Sequence, residues 1–331
     1  MDAGTGVRPA HRTLDWIMLL ALMVMWGSAF VLTKIAVGGL PPTVVAAGRL
    51  AIAAVLLLVI AAAVLRRLPA EGRFWLFCLP IAFFGNALPF SLISWGQSYI
   101  DSGLAGILMA VMPLVTLGLA HYLVPGESIT PHRVGGFLLG FIGVAVLMGP
   151  DALLGLASGD SQLLPMLAVL GGAVCYAISA ILARLRPVGS ALSTAAATTV
   201  IATLLMLPVV LPSGHVHSPA EASGAQLLAV VALGIFSTAI AAVIYFRLIS
   251  RAGPAFVSQL NYLIPLWAMT IGVLFLDEPL QPNYLYALAF ILIGILITQM
   301  DRIGTKTLQR RRIRDAVRLV SHPHGGSSAH R

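Results

Sequence analysis

Two stretches of the sequence, LMAVMPLVTLGLAHYLVPGESITPH (108–132) and LNYLIPLWAMTIGVLFLDEPLQPN (260–283), carry the same pattern about 150 residues apart. Each stretch has a proline inside an apolar run, then a glutamate, and then a second proline. The corresponding pairs are Pro113 and Pro265, Glu127 and Glu278, and Pro131 and Pro282. This repetition indicates that one chain contains two similar structural units.

The composition is that of an integral membrane protein. Hydrophobic residues make up 59% of the 331 residues and charged residues only 10%, with a mean hydropathy of +0.95. A soluble domain carries about 25% charged residues. A chain this apolar cannot hide its side chains from water, so most of it must lie in lipid. The two cysteines provide neither a disulfide framework nor a set of metal ligands, and we expect no cofactor and no bound metal.

Ten apolar runs in the sequence are close to the ~20 residues that a helix needs to cross a bilayer. Because lipid offers the backbone no hydrogen-bond partner, each run should form an α-helix. The predicted fold class is therefore an all-α integral membrane protein with ten transmembrane helices. The predicted spans are 14–37, 43–65, 74–98, 102–124, 131–148, 163–185, 190–211, 226–249, 254–276 and 282–299.

The repetition extends over both halves of the chain. A shift of about 150 residues places span 1 on span 6, and the match continues to span 5 on span 10. Because five is odd, the second copy enters the membrane from the opposite face, which gives the inverted-topology repeat of secondary transporters. The predicted segments are a cytoplasmic N-terminal tail (1–13), a first five-helix repeat (14–148), an external linker (149–162), a second five-helix repeat (163–299) and a basic cytoplasmic C-terminal tail (300–331).

The basic residues predict the orientation of these helices. The loops and tails of one side carry the arginines, whereas the opposite loops hold no Lys or Arg. The positive-inside rule places the arginine-rich side, and with it both termini, in the cytoplasm. The C-terminal stretch RRRIRDAVRLV (310–320) is expected to lie on anionic lipid, which accounts for much of the net charge of +8 without nucleic acid. The loop arginines are Arg66, Arg67, Arg73, Arg133, Arg184, Arg186, Arg247 and Arg251.

Several motifs of the sequence resemble those of the EamA family of the drug/metabolite transporter superfamily. They are WGSAFVLTK (26–34), Arg49 seven residues beyond Pro42, SGLAGILMAVMPLVTLGLAHYLVPGE (102–127) and its second-half partner. The resemblance covers about residues 14–299. It implies a ten-helix exporter of metabolites, often amino acids or related molecules, in the bacterial inner membrane. The second copy departs from the pattern because it has Thr199 where Arg49 would be.

Polar residues inside the spans are candidates for lining a substrate cavity, because polar groups in a bilayer face the interior of the helix bundle. Asn86 lies three residues before Pro89, which removes a backbone donor and frees a carbonyl. In span 9, Ser258, Asn261 and Tyr262 share one helix face, with Gln259 beside it, and the matching first-half face carries Met109 and Met112. The competing interpretation is that the polar side chains only bond neighbouring helices together.

Aromatic residues form a second set of cavity candidates, namely Trp26, Trp95, Tyr176 and Tyr245. Trp and Tyr near span ends usually sit at the membrane interface, which is our expectation for Tyr284. Trp26 and Tyr176 lie about halfway along spans 1 and 6 at repeat-equivalent positions, which favours the cavity.

Lys34 and Arg49 are the basic residues within the predicted spans. Lys34 is near the outer end and can reach the interface, whereas Arg49 lies deeper. Arg49 either bonds the backbone where neighbouring helices are interrupted or attracts an anionic substrate. Glu127 and Glu278 are expected to stabilise the N-terminus of the helix that follows each of them.

These features predict a secondary transporter that moves small amphipathic, amino-acid-like metabolites by alternating access, as an exporter. The alternatives are an exchanger of anionic or phosphorylated metabolites that uses Lys34 and Arg49, and a channel. An enzyme is not expected, because the sequence contains neither H-E-x-x-H nor G-x-S-x-G. The expected partners are a small-molecule substrate and the lipid bilayer, and the sequence leaves a homodimer open.

Overall fold

The computed structural model describes residues 13–64, 71–123, 130–158, 162–185, 190–212 and 222–298, and these residues form ten helices without a strand. Seven of the helices are long and apolar enough to cross a membrane, and α5, α9 and α10 contain shorter apolar helices. The bounds are α1 Thr13–Val37, α2 Pro42–Val64, α3 Gly72–Gln97, α4 Ser102–Leu123, α5 Pro131–Ser158, α6 Leu163–Leu185, α7 Ala191–Val210, α8 Gly224–Ala252, α9 Leu260–Leu276 and α10 Pro282–Thr298.

The helix α5 is the element that differs most from its prediction. Its apolar part, Val134–Leu147, agrees with the predicted span 131–148, but the helix continues to Ser158. Most of the segment expected as an external linker is therefore helical. The sequence DALLGLAS (151–158) explains the extension, because leucine and alanine are strong helix formers whether or not lipid surrounds them. The two tails lie outside the described residues.

Most of the main helix contacts are preserved when each helix is exchanged with its repeat equivalent five positions away. Three equivalent pairs pack on one another, namely α2 on α7, α4 on α9 and α5 on α10. The remaining main contacts come in matched sets: α1 with α9 and α6 with α4, α1 with α8 and α6 with α3, and α2 with α8 and α7 with α3. The molecule is therefore two inverted repeats of five helices that interdigitate about a pseudo-two-fold axis.

Both halves interrupt the same helix at the same place. A π-helical segment occupies Phe83–Ala87 in α3, and another occupies Leu233–Ile240 in α8. In α3 the cause is Pro89, which has no N–H for the preceding turn, and the Leu88 N–H donates five residues back to Phe83. In α8 the hydroxyl of Thr238 donates to the Leu233 carbonyl over 2.9 Å. Such bulges are frequent at functional sites.

The pair α4 and α9 is also interrupted in both halves. A turn at Ala110 and Val111 divides α4. A one-turn helix, Pro254–Val257, precedes α9 and is separated from it by Ser258 and Gln259. These irregular segments leave the central helices with backbone groups that are not used by a regular helix.

A carboxylate joins the halves at the predicted outer end. Glu278, in the loop before α10, accepts hydrogen bonds from the backbone N–H groups of Ser102 (2.7 Å) and Gly103 (3.0 Å) and from the Ser102 hydroxyl (2.9 Å). Glu278 therefore caps α4 of the other half, not the following helix as predicted. The turn at Asp277, with a φ of 52°, directs the chain back towards α4. Glu127 lies outside the described residues.

Tyr284 does not face outward from the bundle, as a tyrosine of the membrane interface would and as its position near a span end predicted. Only 6% of its surface is exposed, and it packs within the apolar cluster that α4 and α10 share with α5 and α6. The prediction failed because the loop of Glu278 brings the start of α10 against α4, so a residue near the helix end becomes interior.

Candidate functional site

Three side chains from three other helices meet around the guanidinium group of Arg49. The Nε of Arg49 donates a hydrogen bond of 2.7 Å to the hydroxyl of Thr238. The Cζ atom lies 3.9 Å from the centroid of the Phe90 ring, in a cation–π contact. Tyr176 is near enough to interact electrostatically with the guanidinium, and its ring centroid is 6.4 Å from that of Phe90. We call Arg49, Phe90, Tyr176 and Thr238 the Arg49 centre.

The fold places the Arg49 centre between the two halves. Arg49 on α2 and Phe90 on α3 come from the first repeat, whereas Tyr176 on α6 and Thr238 on α8 come from the second. Arg49 lies about 10 Å along α2 at 1.5 Å per residue, deep in the bilayer. Thr238 belongs to the π-helical segment of α8, whereas Phe90 lies in the α-helical part of α3 that follows the segment Phe83–Ala87. The irregular segment of α8 thus contributes a residue to the centre, and that of α3 lies close in sequence to one.

The electrostatics of the centre are unusual for a membrane interior. Among the described residues no carboxylate bonds to Arg49, whose partners are a hydroxyl and two aromatic rings. A cation within the bilayer is costly unless it is paired or faces a polar cavity. Arg49 is partly exposed. The arrangement can therefore accept an anionic group.

The aromatic candidates of α1 and α8 form a separate pair. The rings of Trp26 and Tyr245 have centroids 5.2 Å apart, and both residues pack against a buried cluster that includes Leu19, Leu22 and Leu260. The Ser237 hydroxyl donates to the Met25 carbonyl over 2.8 Å in the same region. Trp26 and Tyr176, although repeat-equivalent, therefore have different neighbours.

The pair α4 and α9 brings Met109 and Tyr262 onto one apolar cluster. The hydroxyl of Tyr262 is buried without a hydrogen-bond partner, as is the Oε1 of Gln97. Gln97 is fully buried, and its Nε2 donates to the Phe30 carbonyl over 2.9 Å. An unpaired polar atom in an apolar interior is costly, so these two atoms mark positions where a ligand or water would be stabilised.

The remaining predicted residues are not brought to the Arg49 centre by any described contact. Asn86 lies in the π-helical segment of α3, and Trp95 pairs with Tyr99, which is 59% exposed near the helix end. Lys34 donates to the Ile100 carbonyl over 2.8 Å at the predicted outer end. The other candidates are partly buried, and they are Met112, Ser258, Gln259 and Asn261.

Sequence reasoning missed four residues that the structure places between helices, namely Phe90, Gln97, Thr238 and Trp267. The signal for Gln97 and Thr238 was present, because each is a polar residue within an apolar span. Trp267 Nε1 donates to the Ser28 hydroxyl over 3.1 Å and so joins α9 to α1. A Cβ on the adjacent Gly27 would lie 2.5 Å from the Trp267 ring, so this close approach needs glycine. No pattern in the sequence indicated this contact.

No metal centre accompanies these features in the described part of the chain, where no three His, Cys, Asp or Glu residues are grouped to hold an ion. Cys78 and Cys175 are both buried.

Several known proteins with similar sequences are named as transporters or exporters. The uncharacterized transporter YvbV of Bacillus subtilis is 26% identical over 307 residues, which cover 89% of this chain and 93% of that protein. A probable terminal-alkyne amino-acid exporter of Streptantibioticus cattleyicolor is 27% identical and covers 90% of this chain and 95% of its own length. The WAT1-related chloroplastic protein At3g02690 of Arabidopsis thaliana is 27% identical over 86% of this chain and 69% of that protein.

The fold itself occurs in a protein of known structure. One crystal structure superposes with a TM-score of 0.59 at 20% sequence identity, covering 92% of this chain and 99% of the other. The profile of the EamA-like transporter family matches residues 15–149 and again residues 163–300, one match for each set of five helices. The chain is a multi-pass membrane protein and belongs to the EamA-like transporter family.

Proposed function

We propose that this transporter exports small amphipathic, amino-acid-like metabolites across the bacterial inner (plasma) membrane by alternating access, with both termini in the cytoplasm. The observation that carries the proposal is the pseudo-two-fold packing of two inverted repeats around a polar centre built from both of them. Two equivalent halves provide two equivalent gates, and rocking one half on the other opens one gate as it closes the other.

Links between the halves at both ends of the bundle support this mechanism. Glu278 caps α4 at the predicted outer end. Arg251 of α8 pairs with Asp15 of α1 over 3.0 Å at the predicted inner end. Charged contacts of this kind can form on one side and break on the other as the halves rotate. The centre between them is where the solute would bind.

The composition of the central helices supports an amphipathic solute. The Arg49 centre offers a cation beside two aromatic rings, and Met109 provides an adaptable apolar surface on α4. The similar protein of Streptantibioticus cattleyicolor is named as an amino-acid exporter. In the anion-exchange alternative, Lys34 and Arg49 would hold one ligand together. We do not adopt this alternative, because Lys34 bonds to the Ile100 carbonyl whereas Arg49 bonds to the Thr238 hydroxyl.

Counterflow in proteoliposomes tests the proposed function. Vesicles loaded with unlabelled L-phenylalanine or L-norleucine should accumulate the labelled amino acid from outside, and the initial rate should saturate with concentration. Met109→Trp should abolish this flux in folded protein because it fills space between α4 and α9. Tyr122→Trp on the same helix is the control, because Tyr122 is 79% exposed. A flux that rises linearly without counterflow would indicate a channel and contradict the proposal.

A further inference from the structure

We propose that Arg49 binds the carboxylate group of the transported solute, so that the substrates of this protein are carboxylic acids. The claim that the solute is transported rests on the proposed function, whereas the binding of a carboxylate is a property of the Arg49 centre alone. It begins with an imbalance of charge. Arg49 contributes a positive charge to the middle of the bundle, and no described acidic residue bonds to it.

The donors that Arg49 leaves unused match a carboxylate. One N–H, at Nε, is committed to Thr238, and one face of the guanidinium plane is covered by Phe90 at 3.9 Å. The terminal nitrogens make no hydrogen bond within the described chain, and they are not among its fully buried unpaired atoms. The edge that carries them thus has no hydrogen-bond partner in the described chain, and a guanidinium edge binds a carboxylate through two parallel hydrogen bonds.

Two of the contacts fix the orientation of that edge before any ligand arrives. Thr238 is itself held in place, because its hydroxyl donates to the Leu233 carbonyl over 2.9 Å while it accepts from Arg49. Phe90 fixes the plane of the group, since the side chain is only 7% exposed and sits in a buried cluster. A donor pair that is ordered in advance loses less conformational entropy on binding.

The charge of the centre favours a carboxylate over a phosphate. One carboxylate neutralises one guanidinium, whereas a phosphate monoester brings a charge of about −1.5 to −2 at neutral pH and would leave an excess in an apolar interior. Lys34 does not supply a second positive charge at the Arg49 centre, because its Nζ donates a hydrogen bond to the Ile100 carbonyl. The ring of Tyr176, which is partly exposed beside Phe90, provides apolar surface for the rest of the solute.

A purely structural role for Arg49 makes a different prediction. If Arg49 only joined α2 to α8 through Thr238, its loss would lower stability and would affect all ligands alike. The carboxylate role requires that the variant discriminate less between an acid and its matching amide, which share the same apolar part. The ratio of the two affinities is therefore the quantity to measure, because a general loss of stability does not change it.

The test measures ligand-induced shifts in the melting temperature of the purified full-length protein. The probes are L-phenylalanine with L-phenylalaninamide, 3-phenylpropionate with 3-phenylpropanamide, and phenyl phosphate. The wild type should bind the acids at least about tenfold more tightly than the amides, as expected for a charged hydrogen bond. Arg49→Gln should bring this ratio to about one, since the neutral amide side chain has no charge to offer.

Three further variants separate the possible causes. Arg49→Lys keeps the charge without the planar pair of donors and should retain part of the ratio. Thr238→Val frees the guanidinium and should reduce the ratio less than Arg49→Gln does. Arg247→Gln removes a cation from the exposed cytoplasmic end of α8 and should leave the ratio unchanged. If Arg49→Gln does not fold, a reduced ratio in Arg49→Lys and Thr238→Val supports the inference, and an unchanged ratio in both overturns it.

Other outcomes also decide the question. The inference is overturned if folded Arg49→Gln discriminates as the wild type does, if the wild type responds equally to acids and amides or to none of them, or if phenyl phosphate binds in preference to 3-phenylpropionate. Counterflow in vesicles is measured in parallel. If Arg49→Gln shows flux and an unchanged ratio of acid to amide affinity, the carboxylate role is refuted and the exporter proposal stands. If that ratio depends on Arg49 but the wild type shows no flux, the exporter proposal is refuted and the binding site stands.

Discussion

At the scale of single residues, the structure places two carboxylates together at the predicted outer end. Asp101 precedes α4, and Glu278 caps the same helix from the other half. Burial and the nearby Glu278 raise the pKa of Asp101 above its usual value of 3.8, and Lys34 opposes this effect only in part. Tyr284 is the other titratable group beside this pair. The cluster thus carries an acid that is costly to ionise in the folded state.

We expect this cost to appear as a pH dependence of stability. When the folded pKa of an acid is raised, the folded state binds more protons than the unfolded state, so stability falls as pH rises from about 3.8 through the folded pKa. Asp101→Asn should flatten that decline and raise the melting temperature at neutral pH. Thermal unfolding in detergent, measured from about pH 4 to about pH 7, checks the expectation, because an aspartate with a raised pKa ionises in this range.

The control for this prediction is Asp277→Asn. It changes the acid next to Glu278, in the loop between α9 and α10, while keeping a residue type that tolerates the left-handed φ of 52° at that position. Asp101 is intact in this variant, so the decline of stability with pH should persist. A decline that survives in Asp101→Asn with its full slope would show that another group causes it.

At the scale of helices, the close crossing of α5 and α10 depends on glycine. A Cβ added to Gly294 would lie 2.5 Å from the Gly136 carbonyl oxygen and 3.0 Å from the Gly140 nitrogen, both of which are backbone atoms. Backbone atoms cannot move aside as a flexible side chain can. The two helices therefore approach closely, as small residues allow in membrane proteins, where packing takes the place of the hydrophobic effect.

Gly294→Ala should consequently lower the free energy of unfolding by about 1–3 kcal/mol, the usual cost of overpacking an interior. Gly135→Ala is the matched control on α5, because a Cβ there meets no atom within 4 Å. Reversible unfolding of both variants in mixed micelles gives the comparison. If Gly294→Ala is as stable as Gly135→Ala, the two helices do not cross at this point.

At the scale of the whole molecule, inverted repeats place equivalent helix ends on opposite sides of the membrane. Tyr99 follows α3 and Ser250 is near the end of α8, so these positions lie one residue apart in the repeat alignment. Both residues are exposed. We expect Tyr99→Cys to react with a membrane-impermeant thiol reagent in intact cells and Ser250→Cys to react only after the cells are opened.

The background in this labelling experiment should be low, because Cys78 and Cys175 are both buried. Labelling of both introduced cysteines from outside would contradict the inverted arrangement. Labelling of Ser250→Cys alone would reverse the proposed orientation while leaving the repeat intact.

The sequence by itself determined the helices and their duplication. Span 6 was predicted at 163–185 and α6 is Leu163–Leu185, and the other helices except α9 begin within about two residues of their predictions. Span 9 was predicted at 254–276, but α9 begins only at Leu260, because Ser258 and Gln259 separate it from the one-turn helix Pro254–Val257. The physical reason is that crossing a bilayer is a local requirement: about twenty apolar residues meet it whatever their neighbours are. The same requirement does not say where a helix continues beyond the membrane, which is why the extension of α5 to Ser158 was missed.

Only the tertiary structure decided which polar groups meet. Arg49 and Thr238 are 189 residues apart in sequence, and Ser102 and Glu278 are 176 apart. In a soluble helix the apolar stripe shows which face is buried, but in lipid nearly every face is apolar, so the pattern does not give the rotation of a helix or its neighbours. The sequence therefore identified Arg49 as a residue that needs a partner, and the packing of α2 against α8 supplied that partner.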